Sequence, residues 1–274
     1  MSGTFYVIGT PIGNLDDITL RQLDTLGAVD FICAEDTRVT LKLLNRFEIK
    51  KPLVSFHEHS SKADAQRIID RLLAGESCGI VTDAGMPCIS DPGEVLVKMC
   101  AESGIDIKVV PGPSAVVSAV AVSGLSTRRF TFEGFLPVPK KERTERLEKL
   151  RGETAVMVFY EAPHKLKNTL ADLAEAFGGE RRISLCRELT KIHEEVLRLT
   201  LSEAVEYYKI NEPRGEYVLV LEGAQESSGG EITIEQAMEQ VNKLIGMGEK
   251  PTDACKAVAK ETGFRKSELY AMLQ

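Results

Sequence analysis

No apolar run in the 274-residue chain approaches the roughly 20 residues that a membrane-spanning helix needs. Met1-Ser2-Gly3-Thr4 carries no basic stretch, and the apolar residues 5–8 that follow are too short for a signal-peptide core. A cytoplasmic chain with no membrane partner is the expectation. The six cysteines, Cys33, Cys78, Cys88, Cys100, Cys186 and Cys255, form no C-x-x-C pair and do not cluster with the four histidines. Neither a disulfide framework nor a structural zinc site is indicated, and no metal is expected. A basic excess is missing as well. The net charge of −7 excludes a surface coated for nucleic acid, though not a local patch.

What is present is a globular composition, 43% hydrophobic and 27% charged, in a chain long enough for two domains and a small third. Short β-branched or apolar runs alternate with amphipathic stretches, the pattern of an α/β protein. Strands are predicted over 5–8, 31–34, 79–82 and 107–110, with helices over 18–26, 37–46, 63–74, 93–102 and 113–122. The acidic pair Asp16-Asp17 suits the first turn of the first helix. Past Gly124 a second set begins, with strands over 129–134, 155–160, 182–186, 195–199 and 216–221 and helices over 142–150, 164–176 and 202–208. The domain boundary is placed near residue 120, giving lobes 1–120 and 121–224. Small polar residues mark a linker over 225–231, and 232–274 reads as an all-helical tail opening on the capping-box spacing Thr233 to Gln236.

Chemistry-bearing segments follow directly on the strands of the first lobe. They are Gly9-Thr10-Pro11-Ile12-Gly13-Asn14-Leu15, Glu35-Asp36-Thr37-Arg38, the Gly/Pro/Asp-rich loop 83–93, and Pro111-Gly112-Pro113-Ser114-Ala115. In a largely parallel sheet all four emerge on the carboxyl edge, where open α/β sheets bind ligands. One such loop alone is usually just a turn, but four at strand ends in one lobe mark a ligand site. The first loop is neither G-x-G-x-x-G nor G-x-x-x-x-G-K-[ST], which disfavours the standard dinucleotide and nucleoside-triphosphate sites.

Those four segments, together with Phe159-Tyr160-Glu161-Ala162-Pro163-His164 and Cys186-Arg187-Glu188-Leu189-Thr190-Lys191, resemble the tetrapyrrole methylase superfamily, in its branch that methylates small-subunit ribosomal RNA. The resemblance runs in order from residue 4 to about residue 223 and extends into the tail. It implies two α/β lobes of tetrapyrrole-methylase type with S-adenosyl-L-methionine in the cleft between them, and a small helical C-terminal extension. The implied reaction is 2′-O-methylation of a cytidine ribose in 16S rRNA, at the decoding centre of the 30S subunit, by a homodimer. Cofactor contact is implied for Gly9, Pro11, Asp83, Ala84, Gly85, Ile89, Ser114, Ala115, Tyr160 and Cys186.

Methyl transfer from a sulfonium is an in-line displacement that depends on alignment, and a ribose hydroxyl also needs a base or charge stabiliser nearby. Lys191 is the candidate base or orienting group, its pKa lowered by burial among cations, with Glu188 beside it and Arg187 and Arg38 on phosphate. The bland alternative is a Glu188–Lys191 salt-bridged turn. His57 and His59 are better read as hydrogen-bonding groups than as metal ligands. Two stretches carry a local net charge of +3, residues 140–151 and 250–266. The second lies in a helix, glycine turn and helix that read as a helix-turn-helix-like RNA-docking unit. The rival readings are a tetrapyrrole C-methylase on the same scaffold, opposed by Asn14 and Leu15 where that branch has Pro-Gly-Asp, and a non-catalytic RNA-binding assembly protein.

Overall fold

The computed structural model describes residues 2–91, 93–225 and 233–273. Two compact units emerge, Met1–Gly223 and Ala224–Gln274.

The first unit holds two five-stranded sheets. Strands β1 (Thr4–Ile8), β2 (Phe31–Ala34), β3 (Leu53–Ser55), β4 (Cys78–Val81) and β5 (Asp106–Val110) build the first, in the order β3-β2-β4-β1-β5 with every pairing parallel. Central β2 and β4 are buried along their whole length, which is why they read as unbroken apolar runs without alternation. Helices α1 (Leu20–Ala28), α2 (Thr37–Arg46), α3 (Lys62–Leu73) and α4 (Glu94–Glu102) supply the crossovers. Separate apolar cores cover the two faces, one around Phe5, Phe31 and Ile80, the other around Ile8, Ile32 and Val81.

Two details depart from the sequence reading. Asp16 and Asp17 lie in a 3-10 turn, Leu15–Asp17, and α1 starts later, at a capping box formed by Thr19 and Gln22. Strand β3 was not expected, because three residues after Pro52 at a sheet edge are too few to show a period.

The second sheet contains β6 (Phe130–Phe135), β7 (Val156–Glu161), β8 (Arg182–Arg187), β9 (Glu195–Thr200) and β10 (Tyr217–Leu221). Their order is β6-β7-β10-β8-β9, with only β6–β7 parallel. Alternation along β7 and β10 divides the side chains cleanly. Met157, Phe159, Leu219 and Leu221 pack under α6 (Lys140–Leu150), α7 (Pro163–Phe177) and α8 (Leu201–Ile210), while Val156, Val158, Val218 and Val220 face the other way. That opposite face is covered by α5 (Ala115–Val122), through Val116, Ala119 and Val120. Helix α5 thus leaves the last strand of the first sheet and buries itself on the second, and the boundary expected near residue 120 falls inside it.

The second unit contains α9 (Ile234–Gly246), α10 (Pro251–Thr262) and α11 (Lys266–Ala271) around a core of Ala237, Val241, Ala254, Cys255, Val258 and Leu269. Thr233 and Gln236 form the expected capping box, and Gly263 ends α10 in the left-handed conformation at φ 79. The linker expected over 225–231 lies, except for Gln225, outside the described residues. No helix among the described residues is long and apolar enough to cross a membrane.

Candidate active site

The carboxyl ends of the first sheet face the second lobe across a cavity of about 810 Å³, within the range of small-molecule sites. From the first lobe it is lined by Ile12, Ala84, Gly85, Ile89 and Asp91, and from the start of α5 by Ser114 and Ala115. Tyr160, Cys186, Glu188 and Lys191 line it from the second lobe.

Backbone geometry holds the first-lobe rim. The Gly9 N–H donates to the Val110 carbonyl at 3.0 Å, and Thr10 and Gly85 exchange both backbone hydrogen bonds, at 2.8 and 3.2 Å. A Cβ on Gly9 would sit 2.8 Å from the Gly112 backbone, so only glycine lets these two strand ends approach so closely. Fully buried Gln22 locks the turn, its Nε2 donating to the Gly9 carbonyl at 2.6 Å. Gly9 therefore builds the rim from beneath, and neither it nor Pro11 is among the residues that line the cavity. Asp83 is likewise outside the lining, accepting from the Asp36 N–H at 3.2 Å.

Strain concentrates here. Cys88, Ser90, Glu188 and Thr190 are non-glycine residues with φ of 69, 61, 49 and 66, and all sit in the two loops that bring Ile89 and Lys191 to the cleft. Such conformations persist where the surroundings over-determine them, which is common at ligand sites.

Several carboxylates surround the cleft. Burial pushes the half-buried Asp91 up to about 6, assisted by the charges of Glu35 and Asp83 and opposed by a hydrogen bond with Thr82. Burial, followed by the charge of Asp91, raises the Tyr160 hydroxyl to about 12, so it stays protonated. Buried Glu161 is fixed by the Ala162 N–H at 2.9 Å and by the Thr169 hydroxyl. Arg143 extends that network, donating to Thr169 at 2.8 Å and Asp172 at 2.5 Å. Arg146 pairs with Glu133. Two of the six cations in the locally basic stretch 140–151 thus tie α6 to its own lobe.

Lys191 requires a correction. Its Nζ lies 2.9 Å from Glu188 and 2.7 Å from Glu216, between carboxylates and not among cations. Burial works to lower its pKa, but the hydrogen bonds to Glu216 and Glu188 outweigh it and raise the value. Lys191 is a held cation, not a neutral base. Glu188 shows the converse balance. Burial pushes it up, yet the hydrogen bonds from Lys191 and from the Glu216 N–H prevail, and it stays ionised. Lys191 also meets the first lobe, its Cγ 2.5 Å from where a Cβ on Gly13 would sit.

The two arginines assigned to phosphate are each paired with a carboxylate. Arg38 folds back on Asp36, with Nη2 to Oδ2 at 2.6 Å and 86% of the side chain exposed. Arg187 has its Nε 3.4 Å from Glu195. Neither is among the residues lining the cavity. His57 accepts from the His59 N–H at 3.2 Å, and no group of three potential metal ligands exists among the described residues.

The start of β10, predicted as a strand over 216–221, was not among the expected site residues. Glu216, Tyr217 and Val218 line the cleft because β10 runs antiparallel to both neighbours, with Tyr217 opposite Glu161 on β7 and opposite Arg187 on β8. Phe130, Phe132 and Phe135 of β6 were also missed.

The sequence pattern of the tetrapyrrole (corrin/porphyrin) methylases matches residues 4–205. A Halalkalibacterium halodurans protein named ribosomal RNA small subunit methyltransferase I is 44% identical over 98% of this chain and 93% of its own length. A Thermotoga maritima protein of the same name is 49% identical over 81% of this chain and its own full length. Among solved structures, uroporphyrin-III-C-methyltransferase from Thermus thermophilus aligns at TM-score 0.55 and 21% identity, covering 80% of this chain and 94% of its own. Diphthine synthase aligns at TM-score 0.60 and 13% identity, covering 81% and 90%. At such identities the two structures establish the fold alone.

Proposed function

The chain belongs to the tetrapyrrole methylase family, and from that premise we propose that it is an S-adenosylmethionine-dependent methyltransferase acting on the 2′-hydroxyl of a cytidine ribose in 16S rRNA. The observation that carries the reading is the cleft, where the Gly/Pro loops of one sheet and the strand ends of another enclose about 810 Å³. The resemblance of those loops to the ribosomal-RNA branch supplies the decoding centre of the 30S subunit as target, and with it a cytoplasmic homodimer.

The cleft suits this cofactor, which is cationic at sulfur and carries an adenine. Its walls are mostly apolar, the half-buried Asp91 provides negative charge, and Gly85 brings backbone to the edge of the space at φ 90. S-adenosylmethionine supplies an electrophilic methyl group on a sulfur that leaves as a neutral thioether. Ala84, Gly85, Ile89, Ser114, Ala115, Tyr160 and Cys186 would hold it, on a rim set by Gly9, Pro11 and Asp83. The protein's main contribution is alignment, which can supply roughly 7–11 kcal/mol. The ribose hydroxyl must lose its proton as its oxygen bonds to carbon. Ionised Glu188 is the acceptor in the cleft, and Lys191 is the cation that steadies both Glu188 and the attacking oxygen.

The helical tail is the docking element in this reading. Lys250, Lys256, Lys260, Arg265 and Lys266 are all exposed on it, in a form suited to RNA phosphates.

The test is to incubate 30S subunits from cells lacking this protein with the enzyme and methyl-labelled cofactor, then to locate the label by mass spectrometry. One ribose-methylated cytidine is expected. No transfer to the subunit, or transfer to a tetrapyrrole precursor instead, would overturn the reading.

A further inference from the structure

The segment Phe130-Thr131-Phe132-Glu133-Gly134-Phe135 forms the edge strand of the second sheet. Simple alternation would put Phe130 and Phe132 on one face and Phe135 on the other. The observed register differs. Phe130 pairs with Val156 and Phe132 with Val158, but the pairing then skips Glu133, so that Gly134 faces Phe159 and Phe135 faces Tyr160. One inserted residue, made possible by Gly134 at φ 63, flips the parity and brings Phe135 to the same face as Phe130 and Phe132. That face looks into the cleft.

The result is an aromatic wall running outward from the interior. Half-buried Phe132 and Tyr160 meet edge to face at 5.0 Å, and Tyr160 meets Phe135 at 5.6 Å and 59°. Phe135 is 60% exposed and Phe130 is 40% exposed, although both line the cavity. The first lobe comes close to the same spot, with Ser90 Oγ 3.5 Å from where a Cβ on Gly134 would sit. The bulge turns Leu136 into the core of the second lobe and leaves the ring of Phe135 on the rim, exposed and in contact with Tyr160.

We propose that Phe135, seated against Tyr160, is the platform on which the base of the target nucleotide stacks when its ribose enters the cleft. The inference rests on the ribosomal-RNA reading above and adds a positioning residue to it. A ribose hydroxyl in folded RNA reaches an enclosed cleft only if its nucleotide is splayed from its neighbours, and the base then loses its stacking partners. An exposed ring at the rim replaces them. The deeper, half-buried Tyr160 and Phe132 belong with the cofactor, whereas Phe135 lies where RNA arrives.

The experiment compares Phe135→Ala, Phe135→Leu and Phe135→Tyr in the full-length enzyme, on unmethylated 30S subunits. Stacking of one base predicts a loss of roughly tenfold to a hundredfold in kcat/KM for the alanine variant. Leucine should not restore activity and tyrosine should, with cofactor affinity and sedimentation behaviour unchanged in all three. A second readout uses the absence of tryptophan from the chain. Phe135→Trp, introduced as 5-hydroxytryptophan and excited beyond the absorption of ribosomal tryptophans, should be quenched by unmethylated subunits. Wild-type turnover in Phe135→Ala, full rescue by leucine, loss of cofactor affinity or oligomeric state, or unquenched fluorescence in an active variant would each overturn the platform. Inactivity of the wild-type protein on subunits would instead overturn the functional reading beneath it.

Discussion

The two sheets reach the same cleft by opposite means. The first is wholly parallel, so every strand ends on one edge, and the loops after β1, β4 and β5 meet there through backbone contacts such as Gly9 to Val110 and Thr10 to Gly85. The second is mostly antiparallel, and only the reversal of β10 between β7 and β8 brings Glu216–Val218 level with Glu161 and Arg187. One lobe offers main chain and small residues, the other side chains: Tyr160, Glu188, Lys191 and the phenylalanines of β6. Loops of a parallel sheet are suited to gripping a cofactor by shape, and strand ends with long side chains to handling the group that reacts.

Substitutions should separate along that line. The largest effect is expected for Gly9→Val, whose side chain must enter space held by the Gly112 backbone and the Met86 sulfur, each 2.8 Å from the Cβ position. Calorimetry should show cofactor binding lost, and retained affinity would break the claim that main-chain approach builds this half.

Next come Glu188→Gln and Lys191→Ala on the opposite wall. Turnover should fall by roughly 10²–10⁴-fold with cofactor affinity unchanged, as for removal of an acid–base group. Equal losses of affinity and turnover would return the pair to a purely structural turn.

A smaller effect is expected from deleting residues 225–274. Affinity for the 30S subunit should weaken and become less salt-dependent as phosphate contacts are removed. Cofactor binding should be unchanged, and joint loss would mean that the tail supports the fold.

The smallest effect concerns Asp91, whose pKa of about 6 makes it neutral in mild acid and charged at neutral pH. Binding of the cationic cofactor should tighten severalfold as pH rises through 6, and Asp91→Asn should flatten that profile. The sign for stability is opposite. An acid whose folded-state pKa is raised costs stability that accumulates as pH rises from its ordinary value of 3.8 to about 6 and stays lost above that. Asp91→Asn should therefore melt higher than wild type above pH 6, by differential scanning calorimetry.

The same contrast explains what could be read from the chain. The parallel half was legible because glycine, proline and aspartate after apolar runs mark loops directly, and α2 was predicted with the bounds Thr37–Arg46 that it has. In the other half, Cys186-Arg187-Glu188-Leu189-Thr190-Lys191 marked a site, but its electrostatics did not follow. The carboxylate that does most to raise the pKa of Lys191 is Glu216, twenty-five residues away, brought close only by strand pairing. Phe135 stayed hidden for a related reason: without the Gly134 bulge, its position in the alternation points away from the cleft. Arg143 and Arg146 counted toward the local +3 of 140–151 because their partners Asp172 and Glu133 lie on other elements.

Hydrogen exchange of the full-length protein with and without S-adenosylhomocysteine would test the shared cleft most directly. Slowed exchange is expected together in 83–91 and 113–116 of the first lobe and in 160–163, 186–191 and 216–218 of the second. Slowing confined to one lobe, or none at saturating ligand, would contradict a site built from both sheets.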